Sequence, residues 1–446
     1  MTVKNQEEEA QKENVIDDIE APKLDTDKLA QLKAKMDKGN NMPPRILEEK
    51  TRSIRLGCLG SGQAGSRIAE ALAQLGYPAI VFNTAIQDLK HIKLPEENKY
   101  LLQYGLGGAA KELEIGKEAA EAHKDAINEL VALKLADAQV LLFCTSLGGG
   151  SGAGSVETMI DVLSATGKPI VVITVLPMSN EDAQTKSNAL ETLAKLSKEV
   201  QNNKIHNLIV VDNAKIETIY SDVSQMDFFD VSNKAIVEII DIFNKYSAIP
   251  SSSKPIDGAE WAKILLSASG LSVYGELTVP NYEEDTAIAE AVINSLSSGL
   301  LASGFDLKQS KYVGILILAN KSVWDKIPSS SIGYCVSLVG EMCGSPQGIF
   351  KGMYSTEEIK DDVVKIYSFF SGLGLPDSRI QQLKKDAQEL MAKSKVKDIE
   401  RNLTLKLDTG VDDTTSAADK IRNKIAQKKS AFGGLMNSAI QDRRKK

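Results

Sequence analysis

Leu147-Gly-Gly-Gly-Ser151-Gly-Ala-Gly-Ser155 lies between an apolar run, VLLFCTS, and a helix-patterned stretch, VETMIDVLSATG. Five of the seven residues 148–154 are glycine. So bare a backbone is entropically unfavourable to order. What it provides is an amide-lined concavity able to hold an anion. The chain on both sides alternates in the same way. IRLGCLG is a buried strand, and SRIAEALAQLG has helical spacing with Ile68, Leu72 and Leu75 on one face. AIVFN follows, then KEAAEAHKDAINELVALK as one helix, PIVVITVLP, a helix through Val200 and NLIVVDN. Apolar runs alternating with helices indicate a parallel sheet covered on both faces, hence an α/β fold.

Two further glycine segments follow strands. Gly60-Ser61-Gly62-Gln63-Ala64-Gly65-Ser66 is a GxGxxG between a strand and a helix, and Gly105-Leu106-Gly107-Gly108 follows a third run. A dinucleotide fold needs an acid at the end of its second strand, for a ribose hydroxyl. Here that position is Asn83. No GxxxxGK[ST] is present, which excludes a Walker-type loop. Three glycine loops at sheet ends point to one polyphosphate held by backbone amides without a lysine clamp.

Beyond residue 231 a long helix, Ser232 to Tyr246, carries the stripe Ile236, Ile239, Ile240 and Phe243. After the break at Ile249–Pro255 a second α/β region has strands LSVYGELTV, YVGILILAN and VVKIYSFFS, then a helix Asp377–Lys397. The expected organisation is a charged extension over 1–50, a nucleotide-binding domain with a parallel sheet over 51–230, and a long central helix over 231–250. A smaller second α/β domain then covers 251–375, and a helix with a basic tail covers 376–446.

The 446 residues are 42% hydrophobic and 25% charged, ordinary values for a globular protein. No apolar run reaches the roughly 20 residues of a membrane helix, and the N-terminus lacks the pattern of a signal peptide, so the expected location is cytoplasmic with no membrane contact. Cys58, Cys144, Cys335 and Cys343 form no CxxC and read as reduced core residues. Three scattered histidines make no zinc site. Net charge is −7, yet Lys420–Lys446 holds nine Lys or Arg against one acid, so the remainder carries −15. An acidic body repels nucleic acid while a basic tail attracts polyanions and acidic surfaces.

Together these segments resemble the tubulin/FtsZ superfamily of GTPases. Gly148, Gly149, Gly150, Ser151 and Gly152 resemble its signature loop. Gly60, Ser61, Gly62, Gln63, Gly65 and Ser66 resemble its first phosphate loop, and Gly107 and Gly108 the loop near the γ-phosphate. Asn83-Thr84-Ala85-Ile86-Gln87 is similar to its N-T-D-x-Q loop, with Ala85 in place of an acidic or polar residue. Glu181, four residues after Pro177, matches a ribose contact, although Thr185 stands where the family has a basic residue. Asp212 and Asn213, with Phe229 and Asn233, resemble the base-binding segments. Asp257 and Glu260 match the catalytic acidic loop that completes the GTP site of the next subunit.

The likeness covers about residues 53–380 and is closest to the bacterial TubZ-like plasmid and phage branch. It implies GTP/GDP as ligand, Mg²⁺ with Gln87 as a contact, head-to-tail filaments, and hydrolysis coupled to polymerisation. It also implies a DNA-binding adaptor engaged by the basic tail, or DNA contacted directly. The alternatives are a Rossmann-type NAD-dependent oxidoreductase, a division-type FtsZ-like polymer and a nonhydrolysing scaffold. Taken alone, Asp257 and Glu260 also read as a cap on the helix AEWAKILL. Phe229 also reads as core beside Phe228, and Trp261 as packing or a subunit contact.

Overall fold

The computed structural model describes residues 52–404 except 225–226, 252, 268, 285 and 299–303. The extension over 1–50 and the basic tail lie outside the described residues.

Ten strands form one sheet in the order β3-β2-β1-β4-β5-β6-β7-β10-β8-β9. They are β1 (Leu56–Ser61), β2 (Ala79–Asn83), β3 (Lys99–Leu101), β4 (Val140–Ser146), β5 (Ile170–Leu176), β6 (Asn207–Asp212), β7 (Gly270–Val279), β8 (Tyr312–Ala319), β9 (Gly348–Ser355) and β10 (Val364–Leu373). β1 to β7 pair in parallel, and β10 runs antiparallel to both β7 and β8. The central strands are apolar throughout because both faces are covered: Leu59, Phe82, Phe143 and Ile173 are each 0% exposed. β6 and β7 pair from Asn207↔Gly270 to Ile209↔Ser272, so the strands of the second α/β region continue the first sheet.

The helices are α1 (Gly62–Gln74), α2 (Ile86–Lys90), α3 (Leu113–Ala122), α4 (Lys124–Lys134), α5 (Gly150–Gly154), α6 (Val156–Ala165) and α7 (Ala183–Gln201). They continue as α8 (Asn213–Ile219), α9 (Phe228–Tyr246), α10 (Gly258–Leu266), α11 (Ala287–Ser298), α12 (Lys321–Trp324), α13 (Ser329–Met342) and α14 (Asp377–Thr404). The stretch expected as one helix over 117–134 breaks at His123. That side chain is buried between the Tyr100 hydroxyl, 3.1 Å from Nδ1, and the Gln103 carbonyl, 3.0 Å from Nε2. The central helix α9 begins at Phe228, a turn earlier than its apolar stripe indicated. All four cysteines are buried and free.

Polar contacts fix the far end of α9 beneath β1. Asn244 accepts from the Ile54 N–H at 2.9 Å and donates to the Ile54 carbonyl at 2.9 Å. Asp241 takes Arg52 Nε at 2.6 Å and the Tyr77 hydroxyl at 2.7 Å. The chain therefore enters the sheet tied to the C-terminal end of the central helix.

Candidate functional site

β1 ends at Ser61 and α1 starts at the next residue, so the first glycine segment is a strand-to-helix turn with no loop between. Gly62 has φ +73°, and a Cβ there would lie 2.7 Å from the Gly152 nitrogen. A Cβ on Gly65 would lie 2.2 Å from the Cys144 carbonyl oxygen. The first glycine segment thus packs on the second through bare backbone. Hydroxyl pairs lock the seam: Ser61 with Ser155 at 2.6 Å, and Thr84 with Ser151 at 2.5 Å. Gly149 and Gly107 differ. A Cβ on Gly149 would meet only the Ser146 hydroxyl, at 3.2 Å, and one on Gly107 meets nothing within 4 Å. These positions border open space, while Gly60, Gly148, Gly150 and Gly152 abut neighbouring chain.

The third glycine loop is strained. Gly105, Gly107, Gly108, Ala110 and Lys111 all have positive φ, with Ala110 at 45° and Lys111 at 67°. Such backbone persists only where its surroundings over-determine it. Here Lys111 pairs with Asp182, which caps α7 by accepting the Thr185 N–H at 2.8 Å. Asn188, buried on α7, donates to the Lys111 carbonyl at 2.7 Å and the Gly148 carbonyl at 3.2 Å. One amide therefore staples two glycine loops. Burial raises the Asp182 pKa, but the Lys111 ammonium and the Thr185 hydrogen bond outweigh it, leaving the carboxyl lowered to about 2. Beside these loops the Ser66 and Thr185 hydroxyls are buried without a hydrogen-bond partner.

Two expected contacts have side chains engaged elsewhere. Asn83 is buried, donating to Asp88 at 3.0 Å and accepting from the Ala85 N–H at 3.1 Å, so its side chain shapes the turn. Asp212 is buried in an ion pair with Arg379, Nε to Oδ2 at 2.7 Å, leaving the partly exposed Asn213 as the outward member of that pair. Gln63 and Gln87 are exposed, and Glu181 is half-buried in the turn between β5 and α7. Phe229 is not core: it is 40% exposed, with the Arg67 guanidinium 5.2 Å from its ring centre and Phe228 edge-on at 5.3 Å. Asn233 lies one turn further along the same face of α9, since residues four apart on a helix are neighbours.

Asp257 and Glu260 form a capping box at the start of α10. Asp257 accepts the Glu260 N–H at 2.8 Å, and Glu260 accepts the Asp257 N–H at 3.2 Å. Trp261 beside them is fully buried and stacked on Phe243 at 5.1 Å, so packing accounts for it. α10 lies at the opposite sheet edge from the glycine loops. A Cβ on Gly258 would sit 3.0 Å from the Ser53 side chain, below β1, and the Leu265 carbonyl accepts from Asn207, the first residue of β6. β1 alone spans roughly 17 Å at ~3.3 Å per residue. No carboxylate side chain crosses that distance to the loops of its own subunit.

Arg67, Lys111, Asn188 and Arg379 carried no sequence signal, because the contacts that bring each of them to these loops are with residues far away in the chain. Among the described residues no group of three or more His, Cys, Asp or Glu side chains is placed to hold a metal, and no helix is long and apolar enough to cross a membrane.

The chain is 28% identical over 266 residues to cell division protein FtsZ 2 of Methanocaldococcus jannaschii, a match spanning 58% of this chain and 66% of that one. It is 23% identical over 357 residues to the tubulin-like protein TubZ of Bacillus cereus, spanning 73% of this chain and 80% of the other. A GTPγS-form protofilament structure of Bacillus thuringiensis serovar israelensis TubZ shares the fold, with a TM-score of 0.69 at 19% identity over 79% of this chain and 96% of that one. The family model described as "Tubulin/FtsZ family, GTPase domain" matches residues 55–221, the span that holds all three glycine loops. Residues 55–221 therefore carry the GTPase domain of the tubulin/FtsZ family.

Proposed function

We propose that this protein is a GTP-dependent filament former that hydrolyses GTP across the contact between subunits, and that its filaments segregate or position plasmid or phage DNA. The observation that carries the first part is the split site. Open glycine backbone and the acidic pair Asp257/Glu260 lie at opposite edges of one sheet, so only a second copy can bring them together. Such a contact is heterologous and does not close, which gives a filament.

In this reading the amides of residues 60–66, 107–108 and 148–152 hold the phosphates. Glu181 binds ribose, while Phe229, Asn213 and Asn233 hold the base. Open space at Gly107 and Gly149 fits a phosphate that a Cβ would displace. Mg²⁺ characteristically takes few protein ligands, so the exposed Gln87 would suit it as a single contact better than a carboxylate cage. The metal would neutralise developing charge on the phosphates. Asp257 and Glu260 orient the attacking water against the neighbour's γ-phosphate. Solved TubZ structures include a type III plasmid segregation TubZ, which supports the cargo reading, and a four-stranded filament, which supports assembly. The basic tail after residue 419 is the proposed grip on a DNA-bound adaptor.

Phosphate release measured against protein concentration tests the mechanism. The expected result is near-zero specific activity when dilute and a rise above a critical concentration. Activity proportional to concentration with no threshold would mean that each subunit acts alone. Truncation after Asp419 should leave that threshold in place and weaken salt-sensitive capture of adaptor–DNA complexes.

A further inference from the structure

Arg379 sits in the first turn of α14, 167 residues after Asp212. Its Nε donates to Asp212 Oδ2 at 2.7 Å, and its Nη2 donates to Asp212 Oδ1 at 3.1 Å and to the Pro177 carbonyl at 3.3 Å. The side chains are only 10% and 4% exposed. A planar fork on a carboxylate fixes direction as well as charge, which an ammonium cannot do.

The partners are what make this pair informative. Asp212 is the last residue of β6, and its Oδ1 also accepts the Ala214 N–H at 3.2 Å. Its carboxylate therefore sets the strand-to-helix turn that presents Asn213. Pro177 is the first residue beyond β5, on the segment that runs to Glu181. One guanidinium thus joins the exits of two adjacent strands, at the sheet edge where the glycine loops lie, and ties both to the start of α14.

We propose that Arg379 is a positioning residue for base recognition, acting through Asp212 on Asn213, so that guanine binding and docking of the first turn of α14 form one coupled event. The proposal rests on the reading of residues 212–213 as a base-contacting segment. Coupling of this kind is reciprocal. If the docked turn favours the base, the bound base favours the docked turn.

The test uses full-length wild type, Arg379→Gln and Arg379→Lys. Affinities for GTP and ATP are measured by competition against a fluorescent guanine nucleotide, with hydrogen exchange at residues 377–387 followed with and without GDP. Wild type should prefer GTP and should slow exchange at 377–387 when GDP binds. Arg379→Gln should lower the GTP-over-ATP preference about tenfold, the effect of about one misplaced hydrogen bond, and abolish the nucleotide-dependent slowing. Arg379→Lys keeps the charge without the fork and should fall between; it carries the comparison if Arg379→Gln does not fold. A variant with a lowered melting temperature but unchanged base preference would overturn the proposal and leave a purely stabilising ion pair. Absence of guanine nucleotide binding by wild type would instead overturn the GTP reading itself.

Discussion

At the edge where β1 and β4 end, glycine backbone borders open space, and most side chains there hold one loop against another. At the opposite edge the presented groups are two carboxylates on a helix cap, one of them exposed. The glycine edge is over-determined: Ser61, Ser155, Thr84, Ser151 and Asn188 all bridge segments distant in sequence. At the acidic edge the segment is tied at Ile256, whose N–H and carbonyl both bond the Tyr354 hydroxyl, while the two carboxylates bond only each other's backbone N–H three residues apart. Chemistry at the first is inseparable from packing, whereas at the second it can be changed with the fold intact.

The largest expected effect separates the two kinds of glycine. Gly65→Val drives a side chain into the Cys144 carbonyl and should lose about 3 kcal/mol or more of stability, read as a shift in the urea midpoint. Gly149→Val has extended backbone (φ −82°, ψ 158°) and nearby only a hydroxyl that can rotate away. It should keep the wild-type midpoint and lose nucleotide affinity by on the order of 100-fold, the cost of about two ligand hydrogen bonds. If Gly149→Val unfolds the protein as Gly65→Val does, the glycine edge is packing alone.

Asp257→Asn comes next. Asn caps a helix as well as Asp does, so melting and GTP binding should be unchanged while turnover falls on the order of 10²-fold. Asp257→Ala should add a cap loss of about 1 kcal/mol. Wild-type turnover in the Asn variant would reduce the acidic edge to a cap.

Asn188→Ala removes the staple between two glycine loops. GTP affinity should fall about tenfold, equivalent to ~1.4 kcal/mol, and more than GDP affinity if the strained loop meets the γ-phosphate. Equal losses for the two nucleotides would place the staple away from that phosphate. The smallest effect concerns Lys111–Asp182, whose side chains are about half exposed. The Asp182 pKa is lowered on folding, so its contribution is complete above the ordinary carboxylate pKa near 4 and fades as pH falls toward 2. The melting difference between wild type and Lys111→Met should therefore shrink from pH 5 to pH 2. A difference independent of pH would show that the Lys111–Asp182 charge pair is not what holds the loop.

The parallel sheet was legible because its strands are buried on both faces and read as unbroken apolar runs. β9, GIFKGMYS, was not, since it is half-exposed and carries two glycines and a lysine. The helix break at His123 was hidden because Tyr100 and Gln103, which hold that ring, lie some twenty residues upstream. Glycine spacing marked the three bare loops, yet not which glycines border open space and which face other backbone. Asn83 and Asp212 stood out as polar residues at strand ends, but their side-chain partners decide what they do. Arg379 is invisible to any local reading, because its role exists only once β5 and β6 lie beneath the first turn of α14.

The placement of Ser53 has a practical consequence. It sits against Gly258, next to the acidic cap, so in the proposed filament it lies at the face that a following subunit would occupy. A bulky label on Ser53 itself would therefore act as a spacer at the seam of the proposed filament, while one placed in an exposed turn remote from both edges would report on filaments without wedging them apart.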